Sequence, residues 1–209
     1  MRVHTSLSQQ NLKPEMALQL LKEGNARFTN NLKVNRDLLA QANDTREGQF
    51  PFAAIISCMD SRTSVELIFD QGLGDVFSIR IAGNIINDDI LGSVEFATAV
   101  IGSKIILVLG HTSCGAIKGA HQNVQLGHLS NLLEKIKPAI EKCDHYTNGV
   151  SSFLDNDNLS YANVTHSIEE IVNRSSIIRE KLKNKEIAIA GAVYSVNSGK
   201  VDFFKEVYT

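Results

Sequence analysis

Four short apolar runs punctuate the chain: residues 52–57 (FAAIIS), 75–81 (DVFSIRI), 105–109 (IILVL) and 187–194 (IAIAGAVY). Continuous β-branched runs of this length, without strict alternation, are what strands covered on both faces produce. After the fourth run, Asn197-Ser198-Gly199 has turn chemistry and leads into Val201, Phe203 and Phe204, which fit a returning hairpin strand. The stretches between the runs read as helical. Residues 1–48 form a helical arm, in which Pro14 suits a first helical turn and Met16, Leu18, Leu20, Leu21 and Phe28 give a partly amphipathic pattern. Thr63-Ser64-Val65-Glu66 has the spacing of a capping box, with Leu67, Ile68 and Phe69 behind it. Asn87 is placed to cap a helix running to about Gly102, and residues 129–142 and 168–183 supply two more. Residues 146–163, rich in Asn, Asp and Ser, read as a long loop. The order β-α-β-α-β-α-β-β predicts an α/β fold with a mainly parallel central sheet and an antiparallel edge strand, flanked by helices. The expected organisation is one domain, with the arm at 1–48 and the α/β core at 49–209.

Composition narrows the function classes. A chain of 209 residues can bury roughly 70% of the surface it exposes when unfolded, so it needs no covalent staples. A net charge of -2 and the lack of any long Lys/Arg run remove the electrostatic basis for binding nucleic acid. No apolar run approaches the ~20 residues of a membrane span, and the first ten residues lack the apolar segment of a secretory signal. Three cysteines make no disulfide framework, which points to a reducing, cytoplasmic setting and leaves a thiolate metal site as their natural use.

The chemistry gathers at strand ends. Cys58 follows the first run and His111 the third. In an open parallel sheet, ligands collect at the carboxyl ends of strands, especially where the strand order reverses. A 2-1-3-4 order would bring these two residues side by side. Cys114, three residues after His111, needs one tight turn to join them, which the flanking Gly110 and Gly115 would allow. Two thiolates and an imidazole suit zinc, and three protein donors leave a coordination position open, as catalytic sites do. Taken singly, each signal is weak: a cysteine after a strand is most often a small buried hydrophobe, and Asp60 with Arg62 could be a surface ion pair worth little. Their coincidence at one end of neighbouring strands carries the argument.

Cys58-x-Asp60-x-Arg62 together with His111-x-x-Cys114 resembles the paired signature of the beta-class carbonic anhydrases. Arg80-Ile81-Ala82-Gly83-Asn84 after the second strand and the Ser198-Gly199 turn extend the likeness over most of the chain. The resemblance implies one Zn2+ per chain on Cys58, His111 and Cys114, with Asp60 and Arg62 as a catalytic dyad. It further implies reversible hydration of carbon dioxide to bicarbonate and a proton, with zinc supplying the hydroxide, and self-association as a dimer or tetramer. Gln49 and Phe77 match pocket residues of the family, and Phe96 stands where plant-like members carry tyrosine. The Gly115 amide is expected to face a developing bicarbonate oxygen. Ile55 stands where bicarbonate-inhibited members carry tryptophan, so no bicarbonate-driven switch is expected even though Arg80 is present. Two thiolates offset the charge of the ion, which should leave its water less acidic than at a three-histidine site. In some relatives the aspartate itself takes the fourth zinc position, when the arginine releases it. Competing readings are hydrolysis of another linear heteroallene such as carbon disulfide, and a structural zinc site closed by Asp60. A thiol-redox protein is disfavoured because no Cys-x-x-Cys pair is present. His121, His128, His145, His166 and the Cys143-x-His145 pair read as incidental to the site.

Overall fold

Strands buried on both faces must lie inside the sheet, and the most continuous apolar runs do so. The computed structural model describes residues 3–147 and 156–207, with the side chains of 144–147 and 156 left aside. Three helices come first: α1 (Ser6–Asn11), α2 (Pro14–Thr29) and α3 (Leu38–Asp44). Then follow β1 (Ala53–Ser57), α4 (Val65–Ile68), β2 (Val76–Arg80), a 3-10 turn (Ala82–Asn84) and α5 (Asp88–Glu95), which runs on as a π-helical segment (Phe96–Val100). β3 (Ile105–His111), α6 (Gly115–His121), α7 (Gly127–Leu133), α8 (Lys137–Thr147), α9 (Asn156–Arg174) and α10 (Ser176–Lys183) precede β4 (Ala188–Tyr194) and β5 (Val201–Val207). The five strands form one sheet in the order β2-β1-β3-β4-β5, parallel except for β5, which runs antiparallel to β4.

Side-chain alternation divides the core. Ile55, Leu107 and Ala190 pack on one face with Ala17, Leu18 and Leu21 of α2 and Val65 and Ile68 of α4. Ile56, Ile106, Val108 and Ile189 pack on the other with Val164, Ile168 and Ile171 of α9 and Ile178 and Leu182 of α10. No helix among the described residues is long and apolar enough to cross a membrane.

The helices depart from the sequence reading for identifiable reasons. The expected capping box does not form: α4 is a single turn that starts after Ser64, and the Thr63 hydroxyl donates instead to the carbonyls of Cys58 and Asp60, at 2.9 and 2.8 Å. The helix expected over 129–142 is two, because Pro138 lacks the N–H that would bond back across the break and is tolerated only in the first turn of α8. The helix expected to start at 168 begins earlier and is interrupted at Ser175, whose hydroxyl accepts the Ile178 N–H at 3.1 Å and caps α10. The polar stretch 146–163 is not all loop: 148–155 lie outside the described residues, and from Asn156 the chain is the start of α9. Asn87 caps α5 as expected, accepting the Ile90 N–H at 2.9 Å.

One buried ion cluster ties the arm to the turn that follows α4. The Asp70 side chain is 3% exposed and accepts from Arg27 and from Arg36, itself 7% exposed, while the Val34 N–H reaches it at 3.3 Å. Burial pushes the Asp70 carboxyl up, but the hydrogen bonds from Arg27 and Arg36 outweigh that and hold it low. A carboxyl depressed by folding adds stability above its unfolded pKa, and that stability is lost as pH falls through the folded value. Asp70→Asn strands two guanidinium groups, one of them buried, and should cost about 3–5 kcal/mol at neutral pH. Urea denaturation at neutral pH checks this, and the difference between variant and parent should shrink in acid.

Candidate metal centre

β1 and β3 are neighbours in parallel register, Ser57 opposite Leu109. The chain continues to β2 on one side of β1 and reaches β3 on the other, so the carboxyl ends of β1 and β3 flank a point where strand order reverses. Cys58 is the first residue beyond β1, and His111 is the last residue of β3, which runs two residues past the expected Leu109. Cys58, His111 and Cys114 are all buried, and their ligand atoms lie within 4.8 Å of one another. The two sulfurs are 4.0 Å apart.

The imidazole is oriented for this cluster. His111 Nδ1 donates to the Thr112 carbonyl at 2.9 Å, which leaves Nε2 with its lone pair free. Nε2 is buried and has no hydrogen-bond partner. The thiols are equally unbalanced. The Cys58 thiol is pulled down by the hydrogen bond from Cys114 and further by His111 and the Gly83 amide, against its own burial. Cys114 is pushed up by the same hydrogen bond, by burial and by the charge on Cys58. Two buried sulfurs 4.0 Å apart beside an unpartnered imidazole nitrogen are a donor set that fits a soft divalent cation.

The turn that joins His111 to Cys114 bends at Ser113, which has φ +56°, and not at either flanking glycine. The Ser113 N–H is held by Asp157 of α9 at 2.8 Å. Gly110 serves the packing instead. A Cβ there would lie 2.8 Å from Val164 Cγ2, so its absence lets α9 press against β3. Gly115 opens α6 with clear space around it, and the amides of Ile117 and Ala116 face the Cys114 sulfur.

Asp60 and Arg62 lie at the edge of the cluster. Arg62 grips the Asp60 carboxylate twice, Nε to Oδ1 at 2.9 Å and Nη2 to Oδ2 at 2.8 Å, and its backbone N–H adds a third bond at 2.9 Å. Asp60 Oδ2 is 4.0 Å from His111 Nε2. The Arg62 hydrogen bonds hold the Asp60 carboxyl well below the usual carboxylate range despite its partial burial. Arg80 steadies the same loop by donating to the carbonyls of Cys58 and Asp60.

The expected pocket residues are dispersed in the single chain. Gln49 is exposed just before β1. Phe77 and Phe96 meet edge to face, with ring centroids 6.4 Å apart. They line a cavity of about 560 Å3 with Ser78, Ile79, Asp88 and Asp89, and none of the three clustered donors lines it. Gly115 alone adjoins the cluster, as the neighbour of Cys114. Cys143 is half-buried and forms no disulfide, and the side chain of His145 lies outside the described residues.

Residues of α9 that the sequence reading passed over support the site. The Ser160 hydroxyl donates to the His111 carbonyl at 3.0 Å, Asn163 Nδ2 to the Gly83 carbonyl at 2.8 Å, and the Ser167 hydroxyl to the Asn84 carbonyl at 3.1 Å. All three are buried. Their signal was a helical interleaving with Leu159, Val164, Ile168 and Ile171, masked by the polar composition around them.

Residues 53–201, a span holding Cys58, Asp60, Arg62, His111 and Cys114, match the family model described as carbonic anhydrase. The chain belongs to the carbonic anhydrase family. It is 35% identical over 199 residues to carbonic anhydrase 2 of Mycobacterium tuberculosis, covering 91% of this chain and 92% of that one. It is 34% identical over 200 residues to a carbonic anhydrase of Mycolicibacterium smegmatis, covering 92% and 94%. Its fold is that of the beta-class carbonic anhydrases. CafA of Aspergillus fumigatus superposes with a TM-score of 0.73 at 26% identity, over 91% of this chain and 90% of that one. The beta-carbonic anhydrase CcaA gives 0.71 at 25% identity, over 90% and 91%.

Proposed function

We propose that this carbonic anhydrase hydrates carbon dioxide reversibly at one Zn2+ per chain, held by Cys58, His111 and Cys114. The observation that carries the reading is the three-donor cluster with an unpartnered imidazole nitrogen, beside a carboxylate already engaged by an arginine. Zinc, when bound, supplies the Lewis acidity that makes water a competent nucleophile near neutral pH. The chain's own residues supply the rest. Asp60, kept ionised by Arg62, can only accept hydrogen bonds, so it orients the hydrogen of the attacking group and leaves that group's lone pair for carbon. Arg62 fixes the carboxylate by two parallel bonds and so holds its direction. The Gly115 amide is the donor we assign to the developing bicarbonate oxygen.

Because Asp60 is turned to Arg62, a structural site closed by four protein donors is the weaker alternative. Carbon disulfide hydrolysis on the same scaffold is separated by assay. Indicator-coupled stopped flow should show fast hydration of carbon dioxide, and no comparable release of hydrosulfide from carbon disulfide. The reverse pattern would move the substrate assignment.

Turnover should rise severalfold between about pH 6 and 9, as the catalytic water titrates. Asp60 does not contribute to that rise, since a carboxyl held below its usual range is ionised throughout. A flat profile would contradict the mechanism. Self-association as a dimer or tetramer is supported by Phe96, exposed by 49% at the Phe77 cavity, by Val100, exposed by 68% at the end of the same π-helical segment, and by the tetrameric beta-carbonic anhydrases of Sordaria macrospora, whose fold this chain shares. A reducing, cytoplasmic setting accords with three cysteines that form no disulfide.

A further inference from the structure

We propose that Asn163 is a positioning residue of the metal centre, acting through the Gly83 amide on the Cys58 sulfur. The inference rests on the reading of Cys58 as a metal ligand.

The Gly83 N–H donates to Cys58 Sγ at 3.4 Å. That amide sits in an unusual backbone: Gly83 and Asn84 are consecutive left-handed residues, with φ of +66° and +42°. A Cβ at Gly83 would lie 2.7 Å from Ile136 Cδ1, just ahead of α8, so a larger residue would have to displace that side chain as well as adopt a strained φ. Glycine takes this conformation freely, but Asn84 is held in it against a local conformational cost, which persists where the surroundings over-determine the backbone. α9 does this. Asn163 and Ser167, one turn apart, donate to the carbonyls of Gly83 and Asn84 in succession. The Gly83 N–H lies in the peptide just before the two anchored ones, so holding the carbonyls of Gly83 and Asn84 fixes the turn from its far side and favours the Gly83 φ that aims this N–H at the sulfur.

The manner in which Asn163 is buried points the same way. It is 1% exposed, between Leu159 and Ile168 of the apolar face of α9, and its Oδ1 has no hydrogen-bond partner. A buried amide with an unpaired oxygen is costly where an aliphatic side chain would pack freely. Its single bond, to Gly83, is what it contributes there. An amide N–H on a metal thiolate withdraws charge from the sulfur and orients it, and partners of this kind typically tune metal affinity by ten- to a hundredfold.

The test loads the full-length protein with 113Cd and reads scalar correlations from the metal to amide protons. The parent should bind one cadmium per chain and show a correlation to the Gly83 N–H through the Cys58 sulfur. In Asn163→Leu that correlation should vanish, and chelator competition should show metal affinity about ten- to a hundredfold lower. Val164→Ala, its neighbour on α9, should lose stability but keep both the correlation and the affinity. A Gly83 correlation that persists in Asn163→Leu, or is absent from cadmium-loaded parent, overturns the inference. Failure of the parent to bind cadmium contradicts the metal site itself and is read separately. Should Asn163→Leu not fold, Asn163→Ser answers the same question. If neither folds while Val164→Ala does, Asn163 serves the fold alone and the positioning role is refuted.

Discussion

Asp60→Asn is expected to retain metal and to lose carbon dioxide hydration by about a hundredfold or more. The substitution preserves shape but not chemistry. Asparagine offers one accepting oxygen where the carboxylate offers two, so Arg62 can no longer be gripped on both arms, and the amide nitrogen adds a donor. In the native arrangement Asp60 lies 4.0 Å from His111 Nε2 without belonging to the donor cluster, which is why metal content should survive. Stopped-flow hydration beside metal analysis distinguishes the outcomes. Near-normal turnover would remove Asp60 from the mechanism, while loss of metal would make it a ligand.

A second large effect is expected from Cys114→Ser. A serine hydroxyl is not ionised near neutral pH and is a poor zinc donor beside a thiolate. Bound zinc should fall below about a tenth of an equivalent and hydration to the uncatalysed background. The fold should remain, because the two large apolar clusters on the faces of the sheet do not include the three donors. Metal analysis after gel filtration, with circular dichroism as the control for folding, checks both halves. A folded variant with full zinc would show that Cys58 and His111 suffice, and the three-donor assignment would fail.

The strands were legible because burial on both faces writes itself as uninterrupted apolar residues, and the end of β3 was missed only where Gly110 and His111 break that run. The hairpin was legible too: Gly199 takes the left-handed conformation its turn requires. The helices were less so. The cap at Ser175 and the break before Pro138 are local signals, but α9 was hidden because its buried stripe is written in Ser and Asn, which composition assigns to loops. Cys58, His111 and Cys114 could be read as candidates from their position after strands, since topology alone brings strand ends together. Their support could not. The bend at Ser113, the Asp157 carboxylate that holds it and the Asn163 amide on Gly83 depend on how closely α9 approaches β3, and that approach is permitted by the missing side chain of Gly110. Such contacts leave no periodic trace.

The most direct measurement is a zinc titration of metal-free protein followed by carbon dioxide hydration at each step. Without metal, activity should not exceed background, and added zinc should raise it linearly until it saturates at one per chain. Hydration that proceeds equally well in the metal-free protein, or a fully loaded protein that stays inactive, would contradict the zinc mechanism.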